Sequence, residues 1–169
     1  MKNLKVLNLS GNFDIGGTIP PELCILKNLE FLKFNNMGLT GQIPEYIGYL
    51  TNLKYFAIED NHLTGKLPGE FSRCLCLEEL RLCNNSLEGT IPDEIFKMSH
   101  LKHLFVTGNP LGHLYDKAYC ERRIHQNFMA FKRKELEYKN LPTGIYKMLT
   151  QLFEPHELKK AMQAQPLFR

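Results

Sequence analysis

The feature that most constrains this chain is a sequence repeat with a period of 24 residues. An Ile-Pro or Leu-Pro pair begins at Ile19, Ile43, Leu67 and Ile91. A leucine recurs at the same spacing at Leu29, Leu53, Leu77 and Leu101, and Leu4 lies one residue out of step. Repetition at a fixed period predicts a solenoid, because each repeat can bury its apolar face only by stacking on its neighbours.

Each repeat begins with a nine-residue segment that contains a short strand pattern. The segment that starts at Leu53 reads LKYFAIEDN, and the one that starts at Leu77 reads LEELRLCNN. Apolar residues hold the first, fourth and sixth places of these segments, so that alternate side chains point inward and outward as in a β-strand. A strand this short is not stable alone and must pair with its equivalent in the next repeat. The sequence therefore predicts one parallel sheet along the solenoid.

Asparagine at the ninth place predicts a ladder of buried amides. Four repeats have it, at Asn12, Asn61, Asn85 and Asn109. A buried amide at the point where the chain turns can satisfy backbone N–H and C=O groups that the sheet does not reach. The second repeat has Met37 at this place. We therefore expect a gap in the ladder there, unless Asn35 or Asn36 replaces the missing amide.

Together these features resemble the plant-type leucine-rich repeat, and the resemblance covers residues 1 to about 113. The family match extends from the strand segment through stretches such as GQIPEYI and GTIPDEI. It implies an α/β solenoid of about five 24-residue repeats with a parallel sheet on its concave side. It also implies a likeness to the ectodomains of receptor-like proteins and receptor-like kinases.

Residues 114–169 have a helical pattern and are predicted to form a C-terminal cap or a docking tail. The apolar side of the first helix is expected to contain Cys120, Ile124, Phe128 and Phe131. A second helix is expected at Ile145, Met148, Leu149, Leu152 and Phe153, and a third after Pro155. A cap would shield the apolar side chains of the last repeat, since the ends of a solenoid need cover. A helix that docks to a partner and a loosely ordered tail are the alternatives. A partner that covers the N-terminal end of the solenoid is a further expectation.

The outward-facing strand residues are the candidates for ligand binding, because they line the concave face. We expect the ligand-binding set to be Phe31, Lys33, Tyr55, Glu59, Glu79, Arg81, His103 and Phe105. Exposed aromatic residues beside an arginine are the usual composition of an interface hot spot. The alternative interpretation is that the aromatic side chains only shield the sheet.

These patterns favour a non-catalytic module that binds a protein or peptide. The sequence contains no GxSxG segment and no phosphate-binding glycine loop. The spacing of His100 and His103 from the cysteines fits no zinc pattern, so we expect no catalytic residue, metal or cofactor. No nucleic-acid motif is present, although residues 114–169 carry 11 basic and 6 acidic groups. The alternatives are a truncated or fragmentary receptor for signal perception, and a structural or regulatory subunit that docks through its C-terminal helices.

The compartment is predicted from the absence of recognisable targeting features. The sequence begins inside a repeat, without a signal peptide, and contains no apolar run long enough to span a bilayer. The five cysteines show no disulfide spacing and are expected to be reduced thiols. Two Asn-x-Ser sequons, at Asn8 and Asn84, follow from the repeat consensus itself. We therefore predict a cytoplasmic protein, with an extracellular or plasma-membrane location as the alternative if the chain is a receptor fragment.

Overall fold

The computed structural model describes residues 3–111 and 117–138. The chain divides into two compact units after Asn127, and of the second unit only residues 128–138, which are helical, are described. The two helices predicted from Ile145 onward lie outside the described residues. All the packing reported below belongs to the first unit, Met1–Asn127.

The first unit is a solenoid in which each repeat contributes one short strand to a parallel sheet. The strands, in chain order, are β1 (Val6–Asn8), β2 (Phe31–Lys33), β3 (Tyr55–Ala57), β4 (Thr64–Lys66), β5 (Glu79–Arg81), β6 (Ser86–Glu88) and β7 (His103–Phe105). The main sheet has the order β1-β2-β3-β5-β7, and β4 pairs with β6 in a second parallel sheet. In the main sheet, each repeat contributes one strand and the strands follow chain order. This confirms the predicted leucine-rich repeat architecture.

In four repeats, the return side is a short helical turn at the recurring proline. Three of these turns are 3-10 helices, Pro21–Ile25, Glu45–Tyr49 and Gly69–Arg73, and the fourth is the α-helix α1, Asp93–Phe96. A proline precedes or opens each turn because its fixed φ suits a helix start and it lacks an N–H that would need a partner. The longer helix α2, Lys117–Tyr138, follows the last repeat.

The core lies between the main sheet and the return turns. Inward strand residues such as Leu32, Phe56 and Leu80 are fully buried. The rings of Phe56 and Phe71 meet edge to face with centroids 5.1 Å apart, which joins the sheet to the return turn within one repeat. Cys74 behaves as a small core residue, since its thiol donates a hydrogen bond to the carbonyl of Ile47 and burial raises its pKa to about 12.

The asparagine ladder ties the third, fourth and fifth repeats each to the one before it. The side chain of Asn61 is buried; its Oδ1 accepts hydrogen bonds from the backbone N–H groups of Met37 and Leu39, both at 3.0 Å. Its Nδ2 donates to the carbonyl of Phe34, in the same preceding repeat, at 2.9 Å. Asn85 and Asn109 make equivalent bonds one and two repeats further on.

Met37 interrupts this ladder as predicted, and no neighbouring amide replaces it within the described residues. Met37 is buried, whereas the amide of Asn35 bonds to Glu59 instead. Asn12 is exposed, and among the described residues its Nδ2 donates to the carbonyl of Leu9, in its own loop. The first repeat is consequently joined to the second without a buried asparagine, through backbone bonds, the Ser10 hydroxyl and the Lys5–Glu30 ion pair.

The eighth place of every repeat has a left-handed backbone, which explains the residue types found there. The residues are Gly11, Asn36, Asp60, Asn84 and Gly108, with φ between 55° and 84°. Glycine has no Cβ and adopts the left-handed conformation without a steric clash, and asparagine and aspartate adopt it more readily than other residues.

This geometry predicts unequal effects for the same substitution at the two end repeats. Gly11→Ala should lower the free energy of unfolding by about 1 kcal/mol, because its Cβ would meet open space and only the φ is unfavourable. Gly108→Ala should cost about 3 kcal/mol, since its Cβ would also lie 2.2 Å from Asn84 Oδ1 and 3.0 Å from the Asn84 backbone nitrogen. Urea denaturation of the two variants measures the difference, and equal losses would contradict it.

The start of α2 packs on the last repeat. Cys120 and Ile124 are buried in the same apolar cluster as Leu104, Val106 and Leu111. Beside them, the rings of Phe96 and Tyr119 meet edge to face, and Arg123 forms an ion pair with Asp93 at 3.1 Å. These residues are placed as expected for a cap. The side chains of Phe128 and Phe131, predicted on the same side, lie outside the described part of the chain, and the division at residues 113 and 114 stays a prediction.

Opposite charges alternate at the second place of the repeats and form ion pairs across the strands. Glu30 contacts Lys5 at 2.9 Å and Lys54 at 2.7 Å, and Glu78 contacts Lys102 at 2.6 Å. Hydrogen bonds from Lys54 and Lys5 lower the pKa of the Glu30 carboxyl from its ordinary 4.5 to about 2.

The lowered pKa of Glu30 predicts a specific acid sensitivity. A carboxyl whose pKa is lower in the folded state stabilises the fold above the unfolded pKa, and this contribution disappears as the pH falls from about 4.5 towards 2. Glu30→Gln should therefore flatten the decline of the free energy of unfolding over this range, relative to the unmodified chain. Denaturation curves measured between neutral pH and pH 2 test this. An unchanged acid slope in Glu30→Gln would show that the ion pairs of Glu30 do not contribute.

Candidate functional site

The strand register places the eight predicted binding residues on one surface. One row of directly paired residues on successive strands consists of Phe31, Tyr55, Glu79 and His103. A second row lies two residues further along the same strands and consists of Lys33, Ala57, Arg81 and Phe105. Glu59 lies two residues beyond Ala57, at the seventh place. We call these eight side chains (Phe31, Lys33, Tyr55, Glu59, Glu79, Arg81, His103 and Phe105) the concave patch.

The N-terminal half of the concave patch is aromatic with one cation. The rings of Phe31 and Tyr55 lie with centroids 6.4 Å apart at an angle of 30°. The ammonium group of Lys33 lies 4.8 Å from the Tyr55 ring centroid, within the range of a cation–π contact. Phe31 remains 37% exposed, so its ring is accessible to a ligand. Burial raises the pKa of the Tyr55 phenol above its ordinary value.

The C-terminal half of the concave patch is organised around Arg81. Its guanidinium group donates a hydrogen bond to Glu79, lies 3.6 Å from a Glu59 oxygen, and covers the ring of Phe105 at 4.5 Å from the centroid. The ring of His103 stacks on Phe105 with centroids 6.0 Å apart. The hydrogen bond to Glu79 raises the pKa of Arg81, and these contacts hold the side chain in one orientation.

Two neighbouring residues were missed when the site was predicted from the sequence. Asn35 holds Glu59 in place, because its Oδ1 accepts the Glu59 backbone N–H at 2.8 Å and its Nδ2 approaches a Glu59 carboxylate oxygen at 3.4 Å. Ala57 is fully buried although it faces the patch, so the surrounding side chains close over the centre of the sheet. Both residues stand at outward places of the repeat, which is the signal that could have identified them.

The concave patch combines charged groups of both signs with aromatic rings. The concave patch contains two basic groups, Lys33 and Arg81, and two acidic groups, Glu59 and Glu79, with aromatic rings between them. Within residues 3–111 and 117–138, no group of three or more His, Cys, Asp or Glu side chains is placed to hold a metal ion. Cys74 is buried in the core, whereas Cys83 faces the concave side and contacts the Thr107 hydroxyl at 3.2 Å.

Comparison with protein families agrees with the fold. The family described as Leucine Rich Repeat matches residues 3–26, 52–74 and 76–98. Among curated protein sequences, none matches the chain.

Solved structures with the same fold include plant receptors. The plant peptide hormone receptor RGFR1, solved in complex with RGF2, is 41% identical over 65% of this chain and 18% of that chain, with a TM-score of 0.64. The LRR ectodomain of the membrane receptor kinase GASSHO1/SCHENGEN3 from Arabidopsis thaliana, in complex with CASPARIAN STRIP INTEGRITY FACTOR 2, is 29% identical over 76% of this chain and 15% of that chain, with a TM-score of 0.67. A plant ice-binding protein is 33% identical over 62% of this chain and 34% of that chain, with a TM-score of 0.60. The chain thus spans a fifth or less of the length of these two receptors.

The comparisons correct the predicted compartment. The structural neighbours include extracellular ectodomains of plant receptors, which points to an extracellular location, and the prediction of a cytoplasmic protein is wrong. The prediction depended on the absence of recognisable targeting features, and the repeat itself does not report the compartment because the same buried leucine pattern stabilises a repeat on either side of a membrane. No helix in the described part of the chain is long and apolar enough to cross a membrane.

Proposed function

Because this chain belongs to the plant-type leucine-rich repeat family, we propose that it recognises a peptide or protein ligand outside the cell through its concave patch. It does so as part of a receptor for signal perception, and it catalyses no reaction. The ligand binds across the strands of the main sheet, and the return turns hold those strands in a fixed curve.

The observation that carries this proposal is the fixed pair of anchors at the centre of the patch. Tyr55 contacts Phe31 and Lys33 on the neighbouring strand, and Arg81 contacts Glu79 and Glu59. Tyrosine and arginine are among the residues that contribute most to protein interfaces. A side chain that is already ordered loses little conformational entropy when a ligand binds, so more of the contact energy appears as affinity.

The size of the sheet indicates a short ligand. Five strands at a spacing of about 4.8 Å give a face about 20 Å wide, and an extended peptide advances about 3.3 Å per residue. About six peptide residues would therefore cross the sheet. A contact of this area is small for a stable complex, so moderate affinity or a shared interface is expected.

The similar structures support this proposal at the level of the fold. RGFR1 is described as a peptide hormone receptor, and it was solved with RGF2. The ice-binding protein shares the same fold, and a fold alone does not decide what a protein binds. The proposal therefore depends on the aromatic and charged composition of the concave patch.

Selection from a random peptide display library on the immobilised chain tests the proposal. Enriched peptides are expected to carry an apolar or aromatic residue next to a charged residue, complementary to the Phe31–Tyr55 pair and its neighbouring charges. They should compete with one another for one site in solution, as measured by fluorescence anisotropy. Failure to enrich any sequence, in rounds where a known peptide receptor succeeds, would contradict the proposal.

A further inference from the structure

The charges of the concave patch are unevenly paired. Arg81 donates a hydrogen bond to Glu79 and lies 3.6 Å from a Glu59 oxygen, so both carboxylates of the patch are directed to the same cation. Lys33 is the second cation of the patch, and it forms no ion pair within the part of the chain that the structure describes. The N-terminal half of the patch therefore carries a positive charge that no neighbouring carboxylate compensates.

The contacts of Lys33 leave its hydrogen-bond donors available to a ligand. Its ammonium group lies 4.8 Å from the centroid of the Tyr55 ring, and an aromatic ring attracts a cation through its face. This contact orients the side chain, while the N–H donors of the ammonium group remain free to bond to an acceptor. Phe31 and Lys33 lie on the same side of β2, because they are two residues apart on one strand. The uncompensated charge thus lies beside an accessible aromatic ring.

A second donor lies next to Lys33 on the neighbouring strand. Asn8 is the direct partner of Lys33 in the pairing of β1 with β2. Its Oδ1 accepts the backbone N–H of Ser10 at 3.1 Å, which fixes the orientation of the amide group. Its Nδ2 has no acceptor among the described residues, and the side chain is exposed. Asn8 and Lys33 therefore present N–H donors from adjacent strands of the main sheet.

We infer that Lys33 and Asn8 form a subsite for an acidic side chain of the ligand. This inference rests on the proposed function, and it adds the sign and the place of the charge that the ligand carries. A carboxylate accepts hydrogen bonds from both donors, and bonds of this kind to a charged group are roughly twice as strong as neutral ones. An extended peptide advances about 3.3 Å per residue, so the aspartate or glutamate lies one or two positions from the apolar residue that contacts Phe31 and Tyr55.

The place of β2 in the sheet assigns the carboxylate to a side chain rather than to a chain terminus. β2 lies between β1 and β3, so a peptide that crosses the strands continues on both sides of Lys33. A terminal carboxylate at Lys33 would leave the strands on one side without a ligand contact.

The other half of the concave patch disfavours an acidic group. A ligand carboxylate beside Arg81 would also lie near Glu79 and Glu59, which pair with that guanidinium group, and like charges repel. The ligand residue that faces Arg81 is therefore expected to be uncharged or basic. This difference between the two halves fixes the register of the ligand along the solenoid.

A comparison of peptide selections tests the inference. Random peptides are displayed through their C-terminus, so that none has a free terminal carboxylate, and are selected on the unsubstituted chain and on Lys33→Glu. The unsubstituted chain should enrich aspartate or glutamate one or two positions from an apolar or aromatic residue. Lys33→Glu should enrich lysine or arginine at that position and retain the apolar residue. For a selected synthetic peptide, replacing the acidic residue with its amide should raise the dissociation constant about tenfold on the unsubstituted chain, and less than about twofold on Lys33→Gln.

Lys66 provides the matched control. It is exposed on β4, in the second sheet, and Lys66→Glu makes the same change of charge outside the concave patch. This variant should retain the acidic preference. Peptides that bind the unsubstituted chain but lack the acidic residue, or a preference that Lys33→Glu leaves unchanged, would overturn the inference and leave the proposed function standing. The absence of any enriched peptide would overturn both. The selection on the unsubstituted chain decides the first of these outcomes even if a variant does not fold.

Discussion

The dissociation constant of a peptide bound to the concave patch should rise about a hundredfold when Tyr55 and Arg81 are both replaced by alanine. Each anchor is expected to contribute about 2 kcal/mol, and their shared environment makes the combined loss about 3 kcal/mol rather than the sum. The double variant removes the ring that contacts Phe31 and Lys33, and the guanidinium that pairs with Glu79 and Glu59. Isothermal titration with a peptide enriched from the display library measures the change.

A matched control is available in a return turn. Tyr46 and Tyr49 form a stacked pair with centroids 6.2 Å apart, and each is 53% exposed. Replacing both with alanine removes two exposed aromatic rings outside the main sheet, and should leave the affinity within about twofold because scattered surface aromatics contribute little. Circular dichroism must show that both double variants fold. If the Tyr46 and Tyr49 variant lost affinity and the concave variant retained it, the ligand would lie on the return side.

The stability of the solenoid is expected to depend strongly on Asn61. Asn61→Ala should lower the free energy of unfolding by about 4 kcal/mol, because it leaves two buried backbone N–H groups without acceptors, each at a cost of about 1–3 kcal/mol. These groups belong to Met37 and Leu39, in the preceding repeat. The carbonyl of Phe34 also loses its bond from Asn61. Denaturation in urea measures the loss.

Asn12→Ala is the control for Asn61→Ala, since it changes the same place of the repeat. Asn12 is exposed, and within the part of the chain that the structure describes its Nδ2 donates to the carbonyl of Leu9 in its own loop. Its replacement should cost less than about 1 kcal/mol, the usual net value of one hydrogen bond near water. A similar loss in both variants would mean that the asparagine amide stabilises its own turn and not the contact between neighbouring repeats.

The sequence determined the strand register and the core because both follow from the period. Once Leu53 and Leu77 are recognised as equivalent, Tyr55 must pair with Glu79, and Phe56 must be buried. The gap at Met37 was predictable for the same reason. The side-chain contacts within the concave patch were not predictable, because the partners of long side chains depend on distances and rotamers.

Arg81 illustrates this limit. Its place in the repeat predicted an exposed cation. In the structure, its guanidinium group forms ion pairs with Glu79 and Glu59 and lies over the ring of Phe105. The partnership with Glu79 runs along one strand, whereas the one with Glu59 crosses to a neighbouring repeat. The repeat pattern could not predict the compartment, because targeting is encoded outside the positions that build the core.

Photocrosslinking tests most directly whether the ligand lies on the concave patch. The photoreactive amino acid p-benzoyl-phenylalanine is placed at position 55 in one chain and at position 49 in another, and each is irradiated with a peptide enriched from the library. We expect crosslinked peptide from position 55, competed by excess unlabelled peptide, and none above background from position 49. Specific crosslinking at position 49 with none at position 55 would contradict binding through the concave face.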